Sequence, residues 1–590
     1  MKQWNFYTTD EIKPAGWLKR QLEIQAEGLS GNLDKVWPDV RDSAWIGGPC
    51  EGWERVPYWL DGFIPLAYLL ENEDMIARAK KYIDAILERQ WEDGWICPCT
   101  AEQIPTYDTW AVLLITKVLV VYYECSKDER IPAALYKALK NYYDLLKNGT
   151  IHLFNWGEYR WYEGFIAIDF LYRRTKEDWL LALARILKEQ GKDYREVIAH
   201  WEKPLNKWTY YTHIVNLCMM LKAEAVSHDL LGTDYTDEAE YFRTLLDQWN
   251  GTPVGLFTGD ECLSGLSPIQ GTELCAVVEQ MYSYEHLFAV SGDQKWAERL
   301  ELLAFNALPA AISDDMWAHQ YVQMSNQISC ERFGGKPIFR TNGKDAHLFG
   351  LEPHFGCCTS NFNQGWPKLA LSAFMHNGDT IVNPLPLPAK LNADGIRIEI
   401  QTDYPFKNTV TYCIDTDKDF TLVVKGTEYP FKAGEKTAFS IEIERKPVLI
   451  DRPNGLKAVQ YGSLIFSLPI QYEKKMLEYT KNGVERKFPY CDYEYIGKSD
   501  WNYAYCGAPE AVAEVAVDAV PFSSEHPALT VRIKGCKIDW GFEEGYENVC
   551  AKLPQSREPI GEPEALTLIP YGCAKLRMTE LPLVGDGKIV

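Results

Sequence analysis

The strongest constraint on the fold is a change of hydrophobic period near residue 378. Up to about residue 376, apolar residues recur every three or four positions in long segments, the period of an amphipathic helix. The segments are Glu11–Glu27, Tyr58–Leu70, Glu73–Gln90, Tyr107–Glu124, Ile131–Leu146, Tyr159–Arg173, Lys176–Lys188, Thr209–Ser227, Asp237–Trp249, Thr272–Val290, Lys295–Leu308 and Phe362–His376. Beyond residue 378 the runs are short, alternating or β-branched, as in IRIEIQ, NTVTYCI, FTLVVKG and LTVRIKG, with turn residues between them. A chain of 590 residues exceeds what one hydrophobic core organises. The expectation is a multidomain α plus all-β protein. Residues 1–378 form an (α/α)6 barrel, six inner helices ringing a funnel, followed by one or two β-sandwiches. The stretch DRPNG (Asp451–Gly455) marks a soft boundary, with one sandwich over 379–450 and a second, or a continuation of the first, over 451–590. An open solenoid of helix pairs is the competing arrangement, and the lack of a strict repeat period weighs against it.

Charge and cysteine usage narrow the partners. The formal charge is −22, from 61 basic and 83 acidic residues, which argues against nucleic acid and against an anionic membrane surface. The longest apolar stretch, Ala111–Tyr123, is short and contains Lys117, so no membrane span is expected. The N-terminus lacks the apolar core of a secretory signal. Sixteen cysteines are scattered through apolar runs, the pattern of a reduced cytoplasmic protein with buried thiols.

Two segments carry candidate chemistry. HFGCCTSNF places Cys357 and Cys358 side by side, and Gly356 would permit a sharp backbone turn that aims both sulfurs at one cation. GTELCAVVE places Glu273 and Cys275 two apart at the start of a helix. That pair converges only if the chain is still extended there, with Thr272 a candidate N-cap. One carboxylate and three thiols suit a tetrahedral Zn²⁺. The bland alternative is small buried thiols in a loop and a cap-supporting glutamate. Cys97-Pro98-Cys99 competes, but no nearby pair completes a site. The loop before Glu273 supplies Asp260 and Glu261, either of which could act as a proton donor, or simply form an exposed acidic turn.

These segments resemble the β-L-arabinofuranosidases of glycoside hydrolase family 127 and their relatives. The resemblance rests on WERVPYWLDGFIPLA, NWGEYRWYEGF with FLYRRT, GTELCAVVE, FGCCTSN and LTLIPYGCAKLRM, in that order. It implies a retaining exo-glycosidase with Zn²⁺ held by Glu273, Cys275, Cys357 and Cys358. Cys357 would be the nucleophile and Glu261 the acid/base, with Asp260 the alternative. It also implies sugar contacts from His213, Glu301 and Tyr321. His152 and His354 are possible substitutes for pocket histidines without a clear counterpart. An oligosaccharide or glycoside of plant type would be the substrate, and a homodimer would follow the family. A zinc-containing carbohydrate-binding protein without turnover is the second reading.

Overall fold

The computed structural model describes residues 3–481 and 483–585. Helices dominate the chain to residue 371, interrupted by stretches without helix over 251–273 and 311–356, and strands dominate beyond it. The helices sort by burial. Arg55–Leu69, Trp110–Ser126 and Leu274–Ser291 are buried almost all round. Glu73–Arg89, Arg130–Lys147, Asp178–Gln190 and Glu238–Asn250 bury a single stripe, as helices with one face in water must. The well-buried helices follow one another as neighbours. Arg55–Leu69 packs on Trp110–Ser126, then Gly164–Thr175, Ala223–Leu231, Leu274–Ser291 and Gly365–Leu371, which returns to Arg55–Leu69.

The inside of this ring carries charge. Lys117 pairs with Asp61 and Glu163, Lys222 pairs with Glu163, and Lys368 with Asp61, all of them buried. Each ammonium therefore has a carboxylate within reach, the condition for burying it at all.

Several expected helices are broken, each for a local reason. The segment Glu11–Glu27 begins as a strand, Ile12–Pro14, and turns helical only at Gly16; the residue before a proline prefers extended backbone. The segment Thr209–Ser227 splits into Ile214–Met220 and Ala223–Leu231. The segment Phe362–His376 is helical only to Leu371, and Met375–Asn377 is a strand. It forms a hairpin with Thr380–Asn383 through Gly378-Asp379, where Gly378 has φ +58°.

The β region begins as two five-stranded sheets. Strands Asn5–Phe6 and Ile12–Pro14, from the far N-terminus, each extend one of them, pairing with Met375–Asn377 and Ala389–Ala393 respectively. A ten-stranded sheet follows, beginning at Pro447–Arg452. DRPNG closes the hairpin between Pro447–Arg452 and Leu456–Tyr461, so its proline and glycine make a turn within one sheet. The last sheet also reaches back to the helices: Arg577–Met578 pairs with Asn326–Gln327, just after the ring's Leu274–Ser291 helix and its outer neighbour.

Candidate metal and active site

Short paired segments assemble the site. Thr272–Glu273 is a two-residue strand paired with Val322–Gln323, and Glu273, extended at φ −70° and ψ 136°, is itself the N-cap. The helix starts at Leu274, one residue later than a Thr272 cap requires. This extended step is what lets Glu273 and Cys275 face the same point. The Leu274 amide donates to the Tyr321 carbonyl at 2.9 Å, which brings Tyr321 alongside. Glu273 donates its amide to the Gly259 carbonyl at 3.1 Å, and Ile214 to the Glu261 carbonyl at 2.8 Å. The acid loop is thereby pinned between two of the innermost helices.

Cys357 and Cys358 open a helical turn, Cys357–Asn361. Gly356 has φ −94° and ψ −3°, an ordinary right-handed conformation, so no special backbone turn is needed. Its value is space: a Cβ there would meet the Trp37 ring at 2.7 Å and Arg55 Nε at 3.3 Å. His319 anchors the next residue, its Nε2 lying 3.1 Å from Thr359 Oγ1, and burial pushes its pKa down to about 4, so it is neutral.

The ligand atoms of Glu273, Cys275, Cys357 and Cys358 all lie within 4.8 Å of one another. Cys275 Sγ donates to Cys358 Sγ at 3.2 Å, and the sulfurs of Cys357 and Cys358 each lie 3.8 Å from Glu273 Oε1. Glu273 is 1% exposed, yet its Oε2 has no hydrogen-bond partner. A buried carboxylate with Oε1 against two of the sulfurs and Oε2 without a hydrogen bond, 3.9 Å from His213 Nε2, is costly unless a cation joins the group. The titration of the cluster has the same meaning. Burial, then the neighbouring Glu261 and Cys357, raise the Glu273 pKa well above its usual range. Burial likewise raises Cys275 and Cys358. Cys357 goes the other way: burial opposes its ionisation, but hydrogen bonds from Cys275 and Cys358 and the charge of Arg55 outweigh it. The donor set fits a metal ion that prefers sulfur with one hard oxygen. Among the described residues, two groups of three or more such side chains converge, and both include Glu273. Cys97 and Cys99 line a separate small cavity with Trp45 and Trp91.

Glu261 faces this cluster and Asp260 faces away from it, as successive residues of an extended stretch do. Asp260 is fully buried and accepts from Gly271 N at 2.7 Å, Ser264 Oγ at 2.9 Å and Arg340 N at 2.7 Å. Its role is to hold the loop. Glu261 is half-buried. Its Oε2 lies 3.1 Å from His213 Nε2 and 3.3 Å from Trp208 Nε1, and its Oε1 accepts from the Tyr321 hydroxyl. His213 caps the Ile214–Met220 helix, its Nδ1 accepting from Asn216 N at 3.4 Å, which leaves the ring proton on Nε2, aimed at Glu261. Tyr321 Oη also lies 3.0 Å from Cys357 Sγ.

Of the expected sugar contacts, the structure therefore gathers His213 and Tyr321. Glu301 is elsewhere: its carboxylate accepts from Tyr404, a residue of the β region that also meets Ser463, and the group closes the seam between helices and sheet. His354, exposed and at φ +67°, stands close enough for the charges of Glu261 and Cys357 to act on it, so it belongs to the mouth of the site. No comparable contact involves His152, which is exposed. The sequence reading did not include Trp208, Arg55 or Trp156, whose ring packs edge-on to His213 with centroids 5.0 Å apart. Trp208 lies in the aromatic-dense KWTYYTH, while Arg55 and Trp156 lie in WERVPYWLDGFIPLA and NWGEYRWYEGF.

A ring of paired helices joined to β-sheets, with a thiol–carboxylate cluster among its inner elements, is an arrangement that known proteins share. Residues 257–371 match the family model of the beta-L-arabinofuranosidase GH127 catalytic domain, a span holding Glu261, Glu273 and all three clustered cysteines. Among solved structures, a GH127 beta-L-arabinofuranosidase from Geobacillus stearothermophilus T6 is similar with a TM-score of 0.66 at 15% identity, covering 98% of each chain. A GH127 beta-arabinofuranosidase gives 0.63 at 13% identity, covering 99% of this chain and 98% of that one. A structure described as a glycoside hydrolase gives 0.65 at 12% identity with the same coverage. At such identities the likeness is one of fold, carried end to end. No curated protein matches the chain. Among the described residues, no helix is long and apolar enough to cross a membrane.

Proposed function

We propose that this chain is a retaining glycoside hydrolase of the GH127 kind, with an (α/α)6 barrel as its catalytic unit, Cys357 as nucleophile and Glu261 as acid/base. The observation that carries this reading is that one phenol, Tyr321, touches both Cys357 Sγ and the Glu261 carboxylate. Two hydrogen bonds span on the order of 5 Å, the separation at which a nucleophile and an acid/base flank one anomeric carbon in double displacement.

In the first step Cys357 sulfur attacks the anomeric carbon while Glu261 gives its proton to the departing oxygen. In the second, Glu261 takes a proton from water, which attacks the same carbon and expels the sulfur. Two inversions give retention. His213 and Trp208 hold the Glu261 carboxylate in place between the steps. Glu273, Cys275, Cys357 and Cys358 would hold Zn²⁺, which when bound stabilises sulfur as thiolate at neutral pH. Trp156, Trp208 and Tyr210 supply the aromatic faces that sugar rings stack on, their rings packed edge to edge beside His213. The sugar proposed is a terminal β-L-arabinofuranose or a close relative on a plant-type glycan, as the names of the similar structures suggest.

The test is a panel of aryl glycosides and pectin-derived oligosaccharides, assayed with reductant and zinc. Release of a terminal sugar with retained configuration by the native chain, and its loss in Cys357→Ser, is the expected result. Full turnover by Cys357→Ser would remove the nucleophile assignment. Tight sugar binding without release by the native chain would leave a carbohydrate-binding protein instead.

A further inference from the structure

We propose that Cys506 and Cys536 form a dithiol oxidation site, which a small-molecule disulfide converts into a cross-strand bond that clamps the base of the segment joining the C-terminal sheet to the helical ring. The two sulfurs lie 3.0 Å apart, outside the active site. Cys536 sits in the strand Leu529–Lys537, and Cys506 directly follows the strand Tyr503–Tyr505 paired with it. The register places Ala504 opposite Cys536, and the Cys506 amide donates to the Lys534 carbonyl at 2.9 Å. Cys506 and Cys536 are thus diagonal neighbours on one face of the sheet, where side chains converge. Cys506 is half-buried and reachable from solvent, whereas Cys536 is buried beside it. That is the arrangement of an attacking thiol with a resolving partner.

What the bond encloses gives it a consequence. Between the two cysteines runs a long connection that leaves the sheet and docks on the helices. Phe522 packs against Trp17 and Trp366 with ring centroids 5.9 and 5.5 Å away. Ser524 donates its amide and hydroxyl to Asp314 at 2.9 and 2.8 Å, and Arg20 Nε donates to the Ala519 carbonyl at 3.2 Å. The start of this connection is weakly held: Ala511–Glu514 pairs with one strand only, and Val515 is 59% exposed. A bond from Cys506 to Cys536 ties its two ends together and restricts its excursions.

The chemistry balances with glutathione disulfide as oxidant. The Cys506 thiolate attacks one glutathione sulfur and expels the other as glutathione thiolate, which takes up a proton. The Cys536 thiolate then attacks the Cys506 sulfur and expels the second glutathione. Two protein thiols are oxidised and one glutathione disulfide is reduced to two glutathiones. Burial raises the Cys506 thiol to about 12, so the reaction should quicken as the pH is raised.

The test incubates the full chain, zinc-supplemented, with glutathione disulfide, then maps peptides without reduction. The expected product is a peptide pair joined through Cys506 and Cys536, lost on adding dithiothreitol and absent in Cys506→Ser. Cleavage after Glu514 by a glutamate-specific protease should slow several-fold on oxidation of the native chain and not of Cys506→Ser. Persistence of both residues as alkylatable thiols, or Cys506 trapped as a glutathione adduct, would overturn the proposal. So would cleavage after Glu514 that is indifferent to the bond.

Discussion

Tyr321 Oη lies 3.0 Å from Cys357 Sγ and donates its hydrogen to Glu261. A phenol has one proton, so when Glu261 takes it Cys357 must be a thiol donating to Tyr321, although its surroundings favour the thiolate. With Cys357 a thiolate and Glu261 protonated, both bonds reverse: Glu261 donates to the phenol and the phenol to sulfur. Tyr321 can therefore support the two residues in either protonation pattern, which a plain spacer could not. Tyr321→Phe is expected to keep the fold and to lower kcat roughly 10- to 100-fold, the loss of one hydrogen bond to a charged group. The pH profile should also shift, because the pair no longer shares a bridge. An unchanged profile with only a higher KM would make Tyr321 a sugar contact instead.

Cys275 separates metal binding from chemistry. It belongs to the cluster and donates to Cys358, yet Cys357 rather than Cys275 faces Tyr321 and Glu261. Cys275→Ala should bring metal content from about one zinc per chain to near zero, measured by elemental analysis after dialysis. The apo protein should also unfold at lower temperature than the loaded one, because Glu273 Oε2 then stays buried and unpaired. Stoichiometric zinc in Cys275→Ala would show that the ligand set has been misdrawn.

Asp260 and Glu261 are neighbours with opposite duties, and paired substitutions distinguish them. Asp260→Asn places an amide against donors it cannot all satisfy, for about 1–3 kcal/mol of stability. Its effect should appear as a lower Tm. Glu261→Gln should leave Tm nearly unchanged and cut kcat/KM on poor leaving groups by about 10²- to 10⁴-fold, with activated aryl glycosides far less affected. The reverse pattern would move the acid/base role to Asp260.

Much of the site was legible because its chemistry is rare in sequence. A Cys-Cys pair and a Glu-x-Cys step stand out in any chain, and the structure brings all four side chains together. Glu301 was not legible, since a match by position cannot say that Tyr404, from a distant turn between two strands, claims its carboxylate. The same holds for the N-terminal residues. Ile12–Pro14 falls inside the expected helix Glu11–Glu27 and Asn5–Phe6 outside any expected element, because two- and three-residue strands have too few positions to show a period and their partners lie far along the chain. Periodicity also ran through Met220–Lys222 without a break, although the helix does not.

Those N-terminal strands make a prediction about domain independence. Removing residues 1–14 strips one strand from each five-stranded sheet and bares the edges of Met375–Asn377 and Ala389–Ala393. The truncated chain should be markedly less soluble, because unpaired edges recruit other strands. A truncation as soluble and heat-stable as the full chain would show that the sheets do not need them.

Glu285 predicts how stability depends on pH. It lies on the Leu274–Ser291 helix, 3% exposed, and its Oε1 has no hydrogen-bond partner. Burial raises its pKa to about 8, opposed by Lys368 and reinforced by Asp61. The folded chain therefore holds a proton that the unfolded chain has released. Between the ordinary glutamate value near 4.5 and about 8, the native state binds more protons than the unfolded state, so stability falls as the pH rises through this window. The full loss is on the order of a few kcal/mol. Glu285→Gln keeps the shape and removes the ionisation. Its Tm should change far less than that of the native chain between pH 5 and 8, roughly the span of the shift, and the two curves should draw together at the acid end. Parallel curves across the window would mean that Glu285 is ionised in the fold and that Lys368, which already serves Asp61, neutralises it as well.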